Sequence, residues 1–263
     1  MKRIGNGRMA IVYKINDHQV LKLFNKGVSM EYILGEYNKC KLINQLGISS
    51  PKVHELVERD DQAGILYQFV KGKTYLDILM SSEGISGNPG VDMAKVHLNI
   101  HNSKSSKLPD IKDVIKESVE AVDLDVEVKI KILNYIKNLT DENTVCHLDF
   151  HPDNLILNEK NFTVIDWANA VKGCKAADVY NTLLTISSGT VPPGTSKEIE
   201  NLISTLRSEV SMEYLEYYLQ NSDITQYDVY RWELPILVYR LNHGIPEERN
   251  DLIRKIKELS KNI

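Results

Sequence analysis

The sequence has 263 residues, 26% of them charged, and a formal net charge of −4. Binding a nucleic acid polymer needs clustered positive charge, so we expect no such partner. No apolar run reaches the length of a membrane span or a secretion signal, which predicts a cytoplasmic protein without membrane contact. Cys40, Cys146 and Cys174 form no CxxC pair. They are therefore expected to be buried, reduced thiols.

Short alternating segments within residues 1–70 predict an antiparallel sheet. They are IVYKI, QVLKLF, KVHELVE and ILYQFV, each bounded by turn residues. One helical stretch, residues 30–46, interrupts them, and Gly47 and Pro51 supply its stop. This order of strands and helix indicates a small α+β unit.

Beyond Gly72 the sequence changes to long helical periods. These cover residues 91–101, 111–138, 175–187, 196–220, 225–243 and 247–261. Within residues 144–166, in contrast, TVCHL, NLIL and FTVID predict short strands. We therefore predict a bilobal α+β protein, with a small antiparallel-sheet lobe at residues 1–72 and a larger, mainly helical lobe at residues 73–263. A cleft between two lobes is a natural ligand site.

The segment HLDFHPDN, residues 147–154, concentrates histidines, aspartates and an asparagine. In a metal-dependent hydrolase, His147, Asp149, His151 and Asp166 would form a mixed set of nitrogen and oxygen ligands. In a phosphate-transferring enzyme, Asp149 and Asn154 would instead act together with Asp166, which ends the apolar strand FTVID. Carboxylate and amide oxygens of this kind suit Mg²⁺.

A second histidine pair bears on the hydrolase alternative. His97 and His101, in VHLNIH, are one helical turn apart but lack the glutamate of HExxH. Histidines on an amphipathic helix are usually structural, and we expect the same of this pair. Without further ligands the hydrolase is the weaker interpretation.

Two features near the N-terminus suit phosphate binding. Gly5 and Gly7, in IGNGRMAIVYK, precede a strand where backbone amides can approach phosphates closely, although an ordinary turn explains the same pattern. Lys22 lies within VLKLF, and Glu36 on the next helix is placed to hold its ammonium group. Glu31 is a competing partner. An ordinary alternating strand whose polar face carries Lys22, with both glutamates facing water, explains the same residues.

These segments resemble, in order and spacing, the motifs of the protein-kinase-like fold. The likeness rests on IGNGRMAIVYK, VLKLF, Glu36, YQFVKG, HLDFHPDN and VIDWA, across residues 4–180. It is closest to the aminoglycoside phosphotransferase and choline kinase branch, which is similar in having HxDxxxxN with a second histidine two residues after the aspartate. In that branch the later aspartate is not followed by phenylalanine and glycine, and here Trp167 and Ala168 follow Asp166.

The sequence departs from the family pattern at two positions. Ala10 stands at the third glycine of the loop, and Leu148 stands where the family often has glycine. Both replacements are compatible with the fold if the backbone needs no positive φ there.

The resemblance implies a role for each motif. Asp149 would accept or orient the proton of the substrate hydroxyl, and Asn154 and Asp166 would hold one or two Mg²⁺ ions. Lys22, braced by Glu36, would grip the α and β phosphates of ATP or GTP.

Further positions follow from the same resemblance. Gly5 and Gly7 would cover the phosphates. The stretch from Gln68 to Val70 would be the hinge that contacts the purine, with Tyr67 behind it. His147 would brace its own loop, and Asp178 would tie down the backbone of that loop.

The resemblance thus implies a Mg²⁺-dependent small-molecule kinase. It would transfer the γ-phosphoryl group of ATP or GTP to a hydroxyl of an aminoglycoside, an amino alcohol or a sugar-like metabolite. Alternatives are a protein kinase of atypical type, against which the missing glycine after Asp166 counts, and a nucleotide-binding module without catalysis. The presence of all four residues Lys22, Asp149, Asn154 and Asp166 counts against the latter.

Two groups of residues bear on the acceptor. An acidic run and a set of aromatic residues suit an amine or sugar ligand, but as a solvated helix face and as core, respectively, both have ordinary explanations. The acidic run is Glu117, Glu120, Asp123, Asp125 and Glu127, and the aromatic set is Tyr214, Tyr217, Tyr218, Tyr227, Tyr230 and Trp232.

Overall fold

The computed structural model describes residues 1–59, 61–81, 87–159, 161–188, 196–243 and 246–263. The chain forms two compact units. The first comprises Met1–Gly87 and His151–Asn169, and the second comprises Asn88–Phe150 and Ala170–Ile263. HLDFHPDN is therefore divided after Phe150. The division into lobes after residue 72 stays a prediction.

A five-stranded antiparallel sheet lies in the first unit. Its strands are β1 (Lys2–Asn6), β2 (Ala10–Lys14), β3 (Gln19–Phe24), β4 (Val53–Arg59) and β5 (Gln62–Gln68), in the spatial order β1-β2-β3-β5-β4. The four predicted strands are confirmed. Lys22 lies on the central strand β3, opposite Val12 of β2 and Ile65 of β5.

Helix α1 (Met30–Gln45) lies between β3 and β4 in the chain, as predicted. The Ser29 side chain caps it by accepting from the Tyr32 N–H, and Gly47 follows its end with a φ of +74°. Its buried stripe has the helical spacing Ile33, Glu36, Cys40 and Ile43. Because this stripe contains a carboxylate, α1 presents a charge on the face that packs against the sheet.

The remaining elements follow in chain order. They are β6 (Lys73–Thr74), α2 (Tyr75–Leu79), α3 (Pro89–His101), α4 (Ile111–Ala121), α5 (Val126–Lys137), β7 (Thr144–Cys146), β8 (Leu155–Asn158), β9 (Asn161–Val164), β10 (Val171–Gly173), α6 (Lys175–Ser188), α7 (Lys197–Gln220), α8 (Gln226–Tyr230), α9 (Glu233–His243) and α10 (Arg249–Leu259). Strands β6, β8 and β9 form a small sheet in the first unit, and β7 pairs with β10 in the second. The three strands predicted within residues 144–166 are confirmed.

Two predicted helical periods are each divided in the structure. Residues 111–138 form α4 and α5, because the chain turns between them to bury Val122 and Leu124. Residues 225–243 form α8 and α9, separated at the buried Trp232. Hydrophobic periodicity continued through both turns because the turn residues are themselves apolar.

Several predictions from composition can be compared with the structure. The three cysteines are free and buried, as predicted. Among the described helices, none is both long enough and apolar enough to cross a lipid bilayer. The acidic run at residues 117–127 is exposed, and within the aromatic set Tyr214, Tyr218 and Trp232 are core residues.

Candidate active site

Three predicted site residues meet in the first unit. The Lys22 Nζ lies 2.7 Å from Glu36 Oε1 and 3.0 Å from Asp166 Oδ1. Strand β3 supplies the lysine, the buried stripe of α1 supplies Glu36, and the segment after β9 supplies Asp166. The partner of Lys22 on α1 is thus Glu36, whereas Glu31 lies exposed in the first turn of the helix.

The three residues of this cluster differ in their burial and in the electrostatic effects on them. Burial acts to lower the pKa of Lys22, but the carboxylates of Asp166 and Glu36 outweigh it and raise the pKa above the ordinary value. Burial raises the pKa of Glu36, against the opposing effect of Lys22. Asp166 is the open member, because its side chain is 42% exposed while that of Glu36 is 2% exposed. The cluster therefore holds a fixed ammonium group beside an accessible carboxylate.

Two hydrogen bonds restrain the chain next to Asp166. Asp166 has a φ of +60°, in the left-handed region that aspartate tolerates better than most residues. The preceding Ile165 N–H donates to the Asn154 carbonyl at 2.9 Å, and the buried Trp167 indole N–H donates to the Val164 carbonyl at 2.9 Å. These bonds restrain the backbone next to Asp166 and bring the backbone of Asn154 next to that of Ile165.

The side chain of Asn154 lies on a short 3-10 turn, Pro152–Asn154, and is buried. Its amide Nδ2 donates to His151 Nε2 at 3.1 Å. The oxygen of an asparagine amide is the atom of this side chain that suits a hard cation.

Gly5 and Gly7 lie where backbone can face a ligand. Gly5 is on β1, opposite Val12, and Gly7 lies in the turn to β2, where its N–H donates to the Ala10 carbonyl at 2.9 Å. Neither has a positive φ, and a Cβ at either position would meet its nearest neighbour only at 3.4 Å. The fold itself therefore does not require glycine at these positions.

In the predicted hinge, two of the three backbone N–H groups already donate to other parts of the first unit. The Gln68 N–H donates to the Lys52 carbonyl, and the Phe69 N–H donates to the His18 carbonyl. Of these three residues, Val70 is left to offer its N–H to a ligand. Behind the hinge, the buried Tyr67 hydroxyl donates to Glu36 Oε1 at 3.0 Å.

Asp149 belongs to the second unit, on the loop after β7. Its backbone N–H donates to His147 Nδ1 at 3.2 Å, and His147 is fully buried. His147 therefore braces its own loop, as the resemblance implied. The Asp149 side chain is half-buried between the buried residues Leu148 and Phe150.

The two departures from the family pattern, Ala10 and Leu148, were expected to be compatible with the fold if neither position needs a positive φ. This condition holds at Ala10 but not at Leu148. Ala10 has no positive φ, whereas Leu148 has a φ of +55°. A leucine in this region costs about 1–3 kcal/mol. Hydrogen bonds on both sides hold it there: its N–H donates to Asp178 Oδ1 at 2.8 Å, and its carbonyl accepts from Asn181 Nδ2 at 2.8 Å.

Asp178, on α6, is the anchor of this loop. It is fully buried, and its Oδ2 accepts from the His147 N–H at 2.5 Å. The same oxygen lies 3.0 Å from His97 Nε2 and 3.2 Å from His101 Nε2. Although burial opposes it, the two histidines hold the pKa of Asp178 well below its usual range. The anchoring predicted for Asp178 is confirmed.

Two tyrosines of α7 complete this network, and the sequence analysis missed their role. The Tyr214 hydroxyl lies 2.7 Å from His97 Nδ1, and the Tyr218 hydroxyl lies 2.6 Å from His101 Nδ1. With Asp178 ionised, each histidine donates from Nε2 and accepts at Nδ1 from a tyrosine. The signal in the sequence was the matched spacing of four residues, which places each pair on one face of its own helix.

His97, His101 and Asp178 lie close enough together to ligate a cation. However, both ring nitrogens of each histidine and both carboxylate oxygens already have hydrogen-bond partners, and all three residues are buried. A satisfied network of this kind explains the cluster without a metal. The structural role predicted for the histidine pair is the one that this geometry supports.

Comparisons with known proteins identify a family for this chain. A model described as the phosphotransferase enzyme family matches residues 1–218. A search of the curated proteins found no match.

Solved structures resemble this fold over nearly its whole length. An aminoglycoside-3'-phosphotransferase of type VIII is 16% identical with a TM-score of 0.63, covering 91% of this chain and 92% of its own. An amicoumacin kinase in complex with AMP-PNP, Ca²⁺ and Ami is 13% identical with a TM-score of 0.60, covering 99% and 87%. An ADP-bound aminoglycoside phosphotransferase, APH(2'')-Ib, is 18% identical with a TM-score of 0.59, covering 98% and 91%.

These likenesses confirm the predicted protein-kinase-like fold, with an antiparallel sheet followed by a mainly helical remainder. The family model covers most of the chain, and its match includes every motif on which the resemblance was based. The chain belongs to the phosphotransferase enzyme family.

Proposed function

We propose that this protein is a small-molecule kinase that transfers the γ-phosphoryl group of ATP or GTP to a hydroxyl of an aminoglycoside, an amino alcohol or a sugar-like metabolite. The observation that carries the proposal is the Lys22 ammonium, fixed 2.7 Å from Glu36 and 3.0 Å from Asp166. Phosphoryl transfer depends mainly on placed charges, so a fixed cation beside an accessible carboxylate is the central requirement.

The donor atoms around Asp166 fit Mg²⁺. Asp166 offers an exposed carboxylate, and Asn154 offers an amide oxygen on a segment hydrogen-bonded to Ile165, the residue before Asp166. Oxygen donors without thiolate or imidazole suit a hard divalent cation. When bound, Mg²⁺ would neutralise charge on the phosphates. Asn154 and Asp166 are the residues that would hold it.

The rest of the first unit would bind the nucleotide. Lys22 presents its ammonium to the α and β phosphates, and its raised pKa keeps it charged throughout the neutral range. Gly5 and Gly7 bring backbone close to the phosphates. In the hinge, the Val70 N–H is the donor that remains for a purine, with Gln68 at the start of the same segment.

Asp149 would act on the acceptor. A carboxylate at this position accepts or orients the proton of the attacking hydroxyl, while the loop that carries it is anchored by Asp178 through the His147 and Leu148 amides. Because the strained Leu148 holds the chain immediately before Asp149, the loop presents its carboxylate from a backbone with little freedom.

Several structural relatives support the acceptor class through their own ligands. One is a streptomycin and ATP complex of an aminoglycoside phosphotransferase, and another is a gentamicin complex. A GDP complex also occurs among them. For this chain, acceptors with hydroxyl and amine groups and both nucleotides are therefore the first candidates to test.

The test is a screen for ADP or GDP release with aminoglycosides, choline, ethanolamine, methylthioribose, homoserine and ketosamines. We expect at least one acceptor to stimulate release in a Mg²⁺-dependent manner. Asp149→Asn should lower the stimulated rate by about 10²–10⁴-fold, because it removes the group that accepts the proton. The matched control Asp153→Asn, at an exposed aspartate of the same segment, should stay within about twofold of the wild type.

Three outcomes would contradict the proposal. Acceptor-stimulated release that survives Asp149→Asn removes the base assignment. Phosphate transfer to protein instead of any small acceptor favours an atypical protein kinase, and acceptor-independent hydrolysis favours a hydrolase.

A further inference from the structure

The helix that supplies Glu36 makes a second connection to the site. Lys39 follows Glu36 by three positions on α1, so both side chains leave neighbouring positions on one side of the helix. The Lys39 Nζ donates to the Ala168 carbonyl at 2.8 Å. Ala168 lies two residues after Asp166, within the 3-10 turn Trp167–Asn169.

The environment of Lys39 distinguishes it from an ordinary solvent-exposed lysine. Its side chain is partly buried, and burial lowers its pKa below the ordinary value, only partly offset by Cys40 and Glu36. A partly buried ammonium group needs a fixed acceptor to replace water. The Ala168 carbonyl supplies one.

The contact closes a ring of interactions in the first unit. Glu36 binds Lys22, Lys22 binds Asp166, the chain continues from Asp166 to Ala168, and Ala168 binds Lys39. Helix α1 joins Lys39 back to Glu36. Any shift of α1 would therefore displace the ammonium of Lys22 and the backbone that carries Asp166 at the same time.

The Asp166 segment needs such a hold on its C-terminal side. The left-handed backbone of Asp166 is fixed before it by the Ile165 N–H bond to Asn154, and the Trp167 indole bonds back to Val164. Both of these bonds reach residues that precede Asp166. Lys39 binds the segment after it, from a separate element.

We propose that Lys39 is a positioning residue that sets the Asp166 carboxylate by binding the Ala168 carbonyl, so that α1 places the phosphate-binding lysine and the metal-binding aspartate together. This inference rests on the proposed function insofar as Asp166 holds a metal. The structural part, the restraint of residues 165–169, is independent of any reaction.

The test uses Lys39→Met, which keeps the apolar stem and removes the donor. Its matched control is Lys41→Met, on the same helix at an exposed position. Without ligand, amide hydrogen exchange in a peptide that covers residues 165–169 should be about tenfold faster in Lys39→Met, as expected for loss of one charge-assisted hydrogen bond. Lys41→Met should match the wild type.

A second readout separates positioning from general destabilisation. The half-saturating Mg²⁺ concentration for turnover should rise about tenfold in Lys39→Met, as the metal carboxylate loses its restraint. The KM for nucleotide should stay within about twofold, because Lys22 keeps Glu36. Lys39→Arg retains a cationic donor, so its half-saturating Mg²⁺ concentration should stay close to that of the wild type.

The outcomes are distinguishable. Exchange and metal requirement both within twofold of the wild type in Lys39→Met would overturn the inference. If that variant does not fold, the same comparisons apply to Lys39→Gln, whose shorter side chain loses the reach to Ala168 but stays polar. If the wild type shows no metal-dependent turnover, the proposed function fails, and hydrogen exchange still decides whether Lys39 restrains the segment.

Discussion

At the scale of single residues, the proposed site contains residue types that the fold itself does not require. Gly5 and Gly7 have no positive φ and have room for a Cβ, so the backbone conformation does not require glycine at either position. Glu36 is buried at a cost that its raised pKa records, and its Oε2 has no hydrogen-bond partner within the described part of the chain. Residues that cost stability without structural need are typical of functional sites.

A pair of glycine substitutions tests this reasoning. Gly7→Ala should change the free energy of unfolding by less than about 0.5 kcal/mol, but should raise the KM for nucleotide about tenfold, as a methyl group keeps the backbone from the phosphates. Gly27, in the turn before α1, has a φ of +92°. Gly27→Ala should cost about 1 kcal/mol in stability and leave the KM unchanged.

Urea denaturation and steady-state kinetics on both variants provide the measurement. A Gly7→Ala protein that loses stability but keeps its KM would show that this glycine serves the turn and not a ligand.

At the scale of elements, the second unit is organised by one buried network. Helix α7 supplies Tyr214 and Tyr218, α3 supplies His97 and His101, and α6 supplies Asp178, whose carboxylate holds the loop before Asp149. The network crosses three helices, so each helix fixes the rotation of the next. The conformation of the loop is therefore a property of the helical packing.

This network predicts a specific pH dependence of stability. Burial and the neighbouring His97 lower the pKa of His101 from its ordinary value of 6.5 to about 4, against the opposing effect of Asp178. Between these values the unfolded chain binds more protons than the folded one, so the stabilising contribution is present above pH 6.5 and is lost as the pH falls to 4. The loss should be on the order of 3 kcal/mol.

The measurement is the free energy of unfolding as a function of pH for the wild type, His101→Gln and the control His54→Gln, at an exposed histidine of β4. His101→Gln should be less stable overall but should depend less steeply on pH, and the control should follow the wild type. Equal slopes in all three proteins would show that His101 does not titrate across this window. Asp178, with its pKa well below the usual range, contributes stability that is lost only at lower pH still.

At the scale of the whole molecule, the proposed roles are distributed between two compact units. Lys22, Glu36, Asn154 and Asp166 belong to the first, and Asp149 belongs to the second. Binding of nucleotide and transfer of its phosphate are thus assigned to different units, although HLDFHPDN contributes to both.

This division predicts that binding and turnover can be separated. With Mg²⁺ and nucleotide at about 100 times Kd, the wild type should gain about 2.7 kcal/mol, which for a chain of this size corresponds to a thermal midpoint about 5–10 °C higher. Asp149→Asn should keep this shift while losing turnover. Lys22→Met should lose most of the shift, because the phosphates lose their cation.

Differential scanning fluorimetry with a non-hydrolysable nucleotide gives the shift for each variant. A shift that disappears in Asp149→Asn but persists in Lys22→Met would contradict the assignment of nucleotide binding to the first unit.

Local patterns in the sequence were enough to predict four of the five strands of the sheet, the limits of α1, the order of the motifs and the family. These are local signals: alternation, a glycine stop, and polar residues at fixed short spacing. Asp178 as the anchor of the loop also followed from the resemblance. The same local signals missed the turns at Val122 and Trp232, because the hydrophobic period runs through them.

Which side chains become partners depends on tertiary packing. The choice of Glu36 over Glu31 follows from the side of α1 that packs on the sheet, and the bond from Lys22 to Asp166 joins residues 144 positions apart. The left-handed Leu148 and the contact of Lys39 with Ala168 are likewise set by groups distant in sequence. Local patterns specify which face of an element is buried, but its partner is chosen by packing over the whole unit, which no short stretch of sequence records.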